Sequence, residues 1–221
     1  MCIRDSLSLQ PRASSGGGKS RDELLDELAA DILSKTPNAF NLEQVSDKYP
    51  TLYTESMNTV LQQECIRYNK VLNKVLGSLK DIRKALKGEV VMTQELEEMG
   101  TQLFNNQVPE MWAKVAYPSL KPLGAWVPDL VARLSFLQKW IDEGKPPAFW
   151  ISGIYFPQAF FTGTLQNYAR KMTVPIDTLS FDFVIHDDKS LEDFNERPEN
   201  GCLIHGLFLE GARWNSTTHT L

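Results

Sequence analysis

The sequence is poor in cysteine, has no long apolar run and carries no excess of positive charge. Its cysteines, Cys2, Cys65 and Cys202, are odd in number and widely spaced, which excludes a disulfide framework and a C-x2-C zinc pattern. No stretch reaches the roughly 18 apolar residues that a transmembrane helix requires, and Met1–Ser6 lacks the apolar segment of a signal peptide. We therefore expect a soluble protein of a reducing, intracellular compartment, with no membrane partner.

The balance of charge limits the classes of partner. With 23 Lys and Arg residues against 28 Asp and Glu residues, the formal net charge is −5. Nucleic acids and anionic membranes attract clustered cations, so this balance argues against both as general ligands. A hydrophobic content of 42% over 221 residues is enough for one sizeable core or two small ones. Protein partners are therefore expected.

Most of the sequence is predicted to be helical. Residues 10–20 are rich in Gly, Ser and Pro, so residues 1–20 are interpreted as a flexible lead-in. Helices are then indicated by capping residues, by apolar spacing near 3.6 and by proline or glycine stops. Their predicted bounds are Ser20 to Pro37, Asn41 to Tyr49, Met57 to Leu86, Thr93 to Phe104, Pro128 to Glu143, and about 158–172. The segment near Pro109 and Pro118 is too rich in proline for long helices.

The segment from Met57 to Leu86 has the most regular pattern. Apolar or aromatic residues recur in steps of four and three at positions 61, 65, 68, 72, 75, 79, 82 and 86. This spacing predicts one buried seam along a helix of about 45 Å, at about 1.5 Å per residue, which ends at Gly88.

The same helix carries a strong excess of cations. Between positions 66 and 88 the only anion is Asp81, and the cations are Arg67, Lys70, Lys74, Lys80, Arg83, Lys84 and Lys87. One interpretation is a solvated face whose last cations favour the helix dipole. The alternative is a docking site for an acidic partner, which would make the protein a free-standing helical adaptor that uses the basic helix 67–87.

The pattern changes beyond Val174, where apolar residues alternate with polar ones. This period of two covers residues 179–185 and recurs over Leu203–Leu209, which predicts strands, with an exposed loop over Asp187–Gly201. The aromatic run over residues 148–161 is the predicted centre of the core. The fold class is therefore predicted to be α+β, a mainly helical bundle followed by strands.

A phosphate-binding loop is suggested by Gly16–Ser20, because Gly-Lys-Ser ahead of a helix also occurs in nucleotide-binding proteins. The pattern G-x-x-x-x-G-K-[ST], however, places its first glycine at position 13, which is Ala13. Residues 6–11 are also too short and broken for the buried strand that feeds such a loop. A small P-loop-like nucleotide-binding protein that uses Gly16–Ser20 is kept as an alternative.

Other catalytic or metal chemistry finds little support. The histidines His186, His205 and His219 are each solitary, whereas a zinc site needs three or more converging ligands. Cys202 and His205 are three residues apart, so on a strand their side chains would point to opposite faces and could not act as a nucleophile and its base. The acidic residues 22, 23, 26 and 27 occupy the first turns of a helix, where anions favour the dipole. We predict no catalytic residue, no cofactor-binding residue and no metal ligand, and therefore no enzyme activity in this chain by itself.

An ordered series of segments resembles the C-terminal region of dynein heavy chains. The segments are Gln10–Arg12 (QPR), Gly18–Glu23 (GKSRDE), Tyr53–Glu64 (YTESMNTVLQQE), Arg67–Asn69 (RYN), Ala85–Gly88 (ALKG), Val108–Pro109 (VP), Tyr117–Leu123 (YPSLKPL), Phe149–Gly153 (FWISG), Phe156–Phe160 (FPQAF), Thr162–Asn167 (TGTLQN) and Gly206–Ala212 (GLFLEGA). The series spans about residues 7–214 and is closer to axonemal than to cytoplasmic members.

The resemblance implies a segment that follows the sixth AAA+ module, with helices first and then a partly open β-barrel. It implies a non-catalytic structural and regulatory role, packed against the AAA+ ring of the parent heavy chain in microtubule-based movement. The ATP sites, the linker and the microtubule-binding stalk of the family lie upstream. Partners would be the ring modules, with dynein complex subunits and microtubules reached only through the parent, in the cytoplasm, cytoskeleton and cilium axoneme.

Two departures from the family pattern bear on the domain organisation. Met1–Ser6 does not resemble the family, and the sequence stops after residues 215–221 (NSTTHTL), where family members continue through more strands. We expect a lead-in over 1–20, a helical part over 21–172 and a truncated β-barrel part over 173–221.

An incomplete barrel leaves a strand edge and apolar surface without a partner. We expect the isolated protein to aggregate, or to be poorly folded beyond about residue 175. Size-exclusion chromatography and thermal unfolding test this expectation. A monodisperse monomer with a single sharp, reversible unfolding transition would contradict it.

Overall fold

The computed structural model describes residues 19–186, 190–207 and 215. Within these ranges it contains seven α-helices: α1 (Arg21–Lys35), α2 (Leu42–Lys48), α3 (Ser56–Leu86), α4 (Gln94–Phe104), α5 (Glu110–Ala113), α6 (Leu123–Glu143) and α7 (Pro157–Met172). Two short strands, β1 (Ala148–Trp150) and β2 (Leu203–His205), and three 3₁₀ turns complete the regular structure there. No helix in the described ranges combines the length and apolar character needed to cross a bilayer.

Side-chain caps fix the start of three helices, α1, α2 and α4, as the sequence predicts. Ser20 and Glu23 form a reciprocal capping box at α1, in which each side chain accepts a backbone N–H of the other residue. Asn41 accepts two N–H groups at the start of α2, and Thr93 accepts the N–H of Leu96 at the start of α4. Each cap satisfies donors that the first helical turn leaves free. These predicted starts are confirmed.

The long helix α3 ends as predicted, at Gly88. Gly88 has a φ of 75°, donates its N–H to the carbonyl of Ala85, and is followed by Glu89, which donates to the carbonyl of Lys84. This pair of bonds is a Schellman motif, which satisfies the last carbonyls of a helix when glycine adopts the left-handed conformation. The helix therefore stops at a defined residue.

The predicted start of α6 at Pro128 is wrong. The helix begins at Leu123, and Pro128 lies inside it. Asn106, with a φ of 58°, accepts the N–H of Leu123 on its carbonyl and that of Gly124 on its side-chain oxygen. This cap comes from the segment just beyond α4, so the residues next to the helix do not announce it.

Contacts between residues define two compact units. One comprises the described residues up to Phe40 and Ile66–Ser135, and the other comprises Asn41–Cys65 and Phe136 onward. In the first unit, the α3 seam buries Tyr68, Leu72, Val75, Leu79 and Ile82 completely. In the second unit, Leu61 and Cys65 of the same helix are also fully buried. The predicted seam is confirmed at these seven positions.

The aromatic run over 148–161, predicted as the centre of the core, supplies part of the core of the second unit. The ring of Phe149 packs edge to face against Trp140 and Phe160, with centroids 5.0 and 4.8 Å away. Ile151 is also buried, whereas Phe156 is 44% exposed. The run therefore supplies an aromatic cluster but is not buried throughout.

The sheet is small and open. Strands β1 and β2 are parallel, with Ala148 opposite Leu203 and Trp150 opposite His205. The mainly helical fold with a short sheet that does not close confirms the predicted fold class. The strand predicted over 203–209 forms at Leu203–His205, and residues 208–209 lie outside the described residues.

The strand predicted over residues 179–185 is wrong. This segment forms no strand in the described structure, and Phe183, Val184 and Ile185 are 69%, 78% and 43% exposed. An alternating pattern favours extended backbone, but a strand also requires a neighbouring backbone to pair with. The predicted exposed loop is confirmed over 190–201, whereas residues 187–189 lie outside the described residues.

Close packing of α7 against the start of α3 depends on Gly163. A Cβ atom at this position would lie 2.9 Å from Met57 Cε and 3.2 Å from Val60 Cγ2. We predict that Gly163→Val lowers the free energy of unfolding by about 1–3 kcal/mol, because the larger side chain overpacks the contact. Urea unfolding measures the change.

A matched control is available in α3. Gly77 is also helical, and a Cβ atom there meets nothing within 4 Å. Gly77→Ala should raise the free energy of unfolding by about 0.5–1 kcal/mol through helix propensity. Equal destabilisation by the two variants would contradict the packing argument.

Candidate functional surfaces

A stack of aromatic rings orders the proline-rich segment of the first unit. The Arg133 guanidinium lies 3.8 Å from the centre of the Tyr117 ring, and that ring stacks on Trp126 at 6.1 Å. Trp126 in turn stacks on Trp112 at 5.8 Å, and Trp112 donates its indole N–H to the Ser78 hydroxyl at 2.8 Å. Cation–π contact and ring stacking stabilise such an arrangement beyond simple burial. The stack anchors the segment between α4 and α6 on α3.

Asp129 binds two members of this stack, Tyr117 and Arg133, through hydrogen bonds to its carboxylate. Its carboxylate accepts hydrogen bonds from the Tyr117 hydroxyl at 2.9 Å, from Arg133 Nε at 2.7 Å, and from Lys121. Burial alone would raise the pKa of Asp129, but the hydrogen bonds from Lys121 and Arg133 hold it below its usual value. Burial and the Asp129 charge raise the pKa of Tyr117. Neither group therefore exchanges a proton near neutral pH, which is typical of a structural charge cluster and not of an acid–base pair.

Glu64 is a fully buried carboxylate in the second unit. Its oxygens accept the backbone N–H groups of Tyr155 at 2.5 Å and Phe156 at 3.1 Å, just before α7 begins. Backbone donors compensate the desolvation of a buried carboxylate. Burial, followed by the Glu64 charge, raises the pKa of the adjacent Cys65 thiol to about 12, so this cysteine is not a reactive thiolate.

The role of Glu64 was not predicted from the sequence, although a signal was present. Glu64 lies three residues after Leu61 and four before Tyr68, both of which belong to the apolar seam. Residues at those spacings share one face of a helix. A glutamate within a buried seam therefore indicates a compensated internal carboxylate.

A second polar cluster joins α7 to the start of α3. Asn167 accepts the N–H of Ser56 at 2.8 Å and donates to Glu55 at 2.8 Å. Lys145 forms an ion pair with Glu55, and Arg170 donates to the Ser56 hydroxyl at 2.7 Å. Burial would raise the pKa of Glu55, but the bonds from Lys145 and Asn167 lower it overall. Two segments that carry the family resemblance, 53–64 and 162–167, therefore contact each other.

The basic helix is partly neutralised within the first unit. Arg83 binds Asp26 with two hydrogen bonds, at 2.6 and 3.2 Å, and thereby lowers the pKa of Asp26. Lys74 lies 3.6 Å from Glu95. These pairs fit a helix face that serves packing and solubility. They leave other cations of the same helix exposed.

The proposed phosphate loop lies mostly outside the described residues, since these begin at Lys19. Lys19 forms an ion pair with Glu27 of α1, and both side chains are more than half exposed. Asp22 and Glu23 occupy the first turn of that helix, as expected for anions near its N-terminus. Lys19 is thus engaged by its own helix.

The candidate cysteine and histidines have ordinary structural settings. Cys202 precedes β2, and burial raises the pKa of its thiol. His205 lies in β2 with its pKa lowered by burial, and the His186 ring lies 5.2 Å from that of Phe194. His219 and Cys2 are outside the described residues. Over the ranges that the structure covers, no group of three or more His, Cys, Asp and Glu side chains is placed to hold a metal.

A cavity of about 310 Å³ in the second unit is lined in part by Lys145, Lys171 and Cys202. Lys145 is paired with Glu55, and Lys171 contacts Glu199 at 3.4 Å. Its two lysines are therefore already matched by carboxylates. The cavity is also lined by Arg197.

Comparison with known proteins identifies the family of this protein. All of residues 1–221 match the family described as the C-terminal domain of the dynein heavy chain, and the protein belongs to that family. It is 56% identical over 215 residues to dynein axonemal heavy chain 1 of Mus musculus and 56% identical over 209 residues to dynein axonemal heavy chain 3 of Mus musculus. It is also 50% identical over 202 residues to dynein axonemal heavy chain 12 of Homo sapiens. The sequence-based resemblance is confirmed.

The matched region is a small part of each relative. The three alignments cover 97%, 94% and 91% of this sequence, but 5%, 5% and 6% of those heavy chains. The protein therefore spans about one twentieth of the length of these relatives.

The Asp129 cluster generates a prediction about pH. Because the folded pKa of Asp129 lies below its unfolded value, its contribution to stability is present above about pH 4 and is lost as the pH falls through the folded pKa. We predict that Asp129→Asn lowers the free energy of unfolding by about 2–4 kcal/mol near neutral pH, because Arg133 keeps a buried charge without its anion. Urea unfolding monitored by tryptophan fluorescence measures this difference at several pH values.

The difference between wild type and Asp129→Asn should shrink steadily below about pH 4. Asp142→Asn, at an exposed carboxylate of the same helix, is the control and should change stability by less than about 0.5 kcal/mol. A deficit for Asp129→Asn that is independent of pH would show that the charge of Asp129 is not what stabilises the cluster.

Proposed function

We propose that this protein is a non-catalytic structural and regulatory portion of a dynein heavy chain, which packs against the AAA+ motor ring. The observation that carries the proposal is the match of all 221 residues to the C-terminal domain of dynein heavy chains. Identity of 56% to two axonemal heavy chains supports a place in the axoneme of a cilium.

The chemistry of the described residues supports a structural role. The buried carboxylates Glu64 and Asp129 are bound by backbone donors or by cations, and the thiol of Cys65 is held protonated by burial. Such groups stabilise a fold but do not transfer protons or attack substrates near neutral pH. ATP hydrolysis and microtubule binding are accordingly assigned to upstream parts of the parent heavy chain.

A bound domain can regulate a ring motor through conformational free energy. If this domain binds the ring more favourably in one conformation than in another, it shifts the population between them and changes force or processivity. Within the domain, we propose that residues 21–172 form the helical part and residues 173–221 the β part. Other dynein subunits and microtubules are reached only through the parent.

Deletion of the matched region from the full-length heavy chain tests the proposal. We expect the deletion to change the ATPase rate and the microtubule gliding velocity, because the relative free energies of ring conformations change. A typical coupling free energy corresponds to a change of about fivefold or more in the ring equilibrium. Unchanged ATPase rate and velocity would contradict the proposal.

The deleted protein needs a control for general damage to the motor. A heavy chain that carries Gly77→Ala keeps the region folded and should retain both activities. ATP binding to the isolated domain provides a separate check, since tight binding that is lost in Lys19→Ala would favour the nucleotide-binding alternative.

A further inference from the structure

We propose that the end of α3 and the following loop, residues 80–92, form a docking tip that binds an acidic surface elsewhere in the same heavy chain. The inference rests on the proposed function and deepens it, because it names which surface of the domain makes the contact and with what chemistry. Two features on the first unit carry it: an exposed row of lysines and an exposed apolar loop.

The lysine row lies on one face of α3. Lys80, Lys84 and Lys87 are spaced by four and three residues, so they align along the helix over about 10 Å. All three are exposed. The other faces of this stretch differ, since Leu79 and Ile82 are fully buried. The row is therefore an outward cationic stripe, and the exposed anions of residues 80–92 are Asp81 and Glu89.

The charge of this row is not matched within the described residues. Arg83 and Lys74 of the same helix form ion pairs with Asp26 and Glu95, whereas Lys80, Lys84 and Lys87 form none with the part of the protein that the structure covers. Lys87 lowers the pKa of Asp26 through charge, but the Asp26 carboxylate is already bound by Arg83. Three positive charges thus remain exposed on a protein whose net charge is −5.

An apolar loop continues directly from the lysine row. Val90, Val91 and Met92 are consecutive and are 43%, 83% and 39% exposed. Three consecutive exposed apolar residues form a patch of the kind found at interaction surfaces, whereas single exposed apolar residues are common on any protein. Cations beside an apolar contact are the composition of a protein docking site with a charged rim.

The loop is held at both ends. The Schellman motif at Gly88 ties Glu89 to Lys84, and Thr93 caps the next helix by accepting the N–H of Leu96. Only four residues, 89–92, lie between these fixed points. Because little conformational freedom remains to be lost on binding, the tip is preorganised for docking.

Charge and the length of the relatives indicate the occupant. A cationic stripe is complementary to a cluster of Asp and Glu side chains, and the apolar loop requires an apolar recess beside that cluster. About 95% of the length of the matched heavy chains lies outside this region, because the alignments cover only 5% of them. Any acidic surface in that upstream part would be joined to the docking tip by the same polypeptide, and so would be present at high effective concentration.

Zero-length carbodiimide cross-linking of the full-length heavy chain tests the inference, because it joins lysine amines to carboxylates that are in direct contact. We expect cross-links from Lys80, Lys84 or Lys87 to Asp or Glu residues upstream of the matched region, with yields that fall at high ionic strength. Lys114 is the internal control, since it lies 3.1 Å from Glu110 and should cross-link to that residue.

Val91→Asp tests the apolar loop while it leaves the three lysines in place. The added carboxylate should lower the upstream cross-links by about fivefold or more, because it places a like charge in the docked contact. Leu120→Asp is the matched control, since Leu120 is fully exposed in a different loop, and it should leave the cross-links unchanged.

The outcomes separate this inference from the proposed function. If the deletion alters motor output but the three lysines cross-link only within the region, or to another polypeptide, the docking tip is wrong and the function stands. Binding of the heavy chain to vesicles rich in anionic phospholipid is a separate test. If the vesicles retain the heavy chain, and this retention is lost when all three lysines are changed to glutamate, the inference of a docking tip for a protein surface is wrong. Upstream cross-links that Val91→Asp weakens and Leu120→Asp does not would establish it.

Discussion

The requirement that α3 bury one face along its whole length is the constraint on which the rest of the structure depends. Seven seam residues of this 31-residue helix are completely buried, and both compact units are built on parts of it. Burial of apolar side chains of this size contributes about 1.5–3 kcal/mol each. Most of the stability of a helix in a folded protein comes from packing of its apolar face, so α3 depends on the residues that cover its seam.

Buried charge in this protein serves architecture. Asp129 and Glu64 are both removed from water and both compensated. Asp129 is bound by two cations and a hydroxyl, and the partners of Glu64 include two backbone N–H groups. Each carboxylate also joins α3 or α6 to a segment that lacks long helices. The groups that most resemble catalytic residues in isolation therefore define how irregular segments attach to the helices.

The features that sequence predicts well here are local ones. The caps at Ser20, Asn41 and Thr93, the stop at Gly88 and the seam of α3 depend on residues within a few positions of each other, and all are confirmed. The start of α6 and the absence of a strand over 179–185 depend on partners that are distant in sequence or missing from the described structure. Periodicity identifies which residues face inward but does not identify the backbone that will pair with them.

For the candidate surfaces too, the sequence predicts residue types and spacing but not the contacts between distant residues. The expectation of no metal or nucleophile chemistry rests on residue types and spacing, which the sequence contains. The cation row of α3 was visible as an excess of charge, but only the structure separates the paired Arg83 from the exposed Lys84 and Lys87. Glu64 was concealed because a polar residue in a helix is ordinarily assigned to the solvent.

The cap at Asn106 also affects the order in which the protein assembles. Pro128 has no N–H, so the carbonyl of Gly124 lacks its usual helical donor. The first turn of α6 is bound both by Asn106 and by the carbonyl of Pro122, which accepts the N–H groups of Ala125 and Trp126. Loss of Asn106 from its place beyond α4 would remove the acceptors of the N–H groups of Leu123 and Gly124. The two segments therefore behave as one cooperative element, and their amide hydrogens are expected to exchange with solvent together.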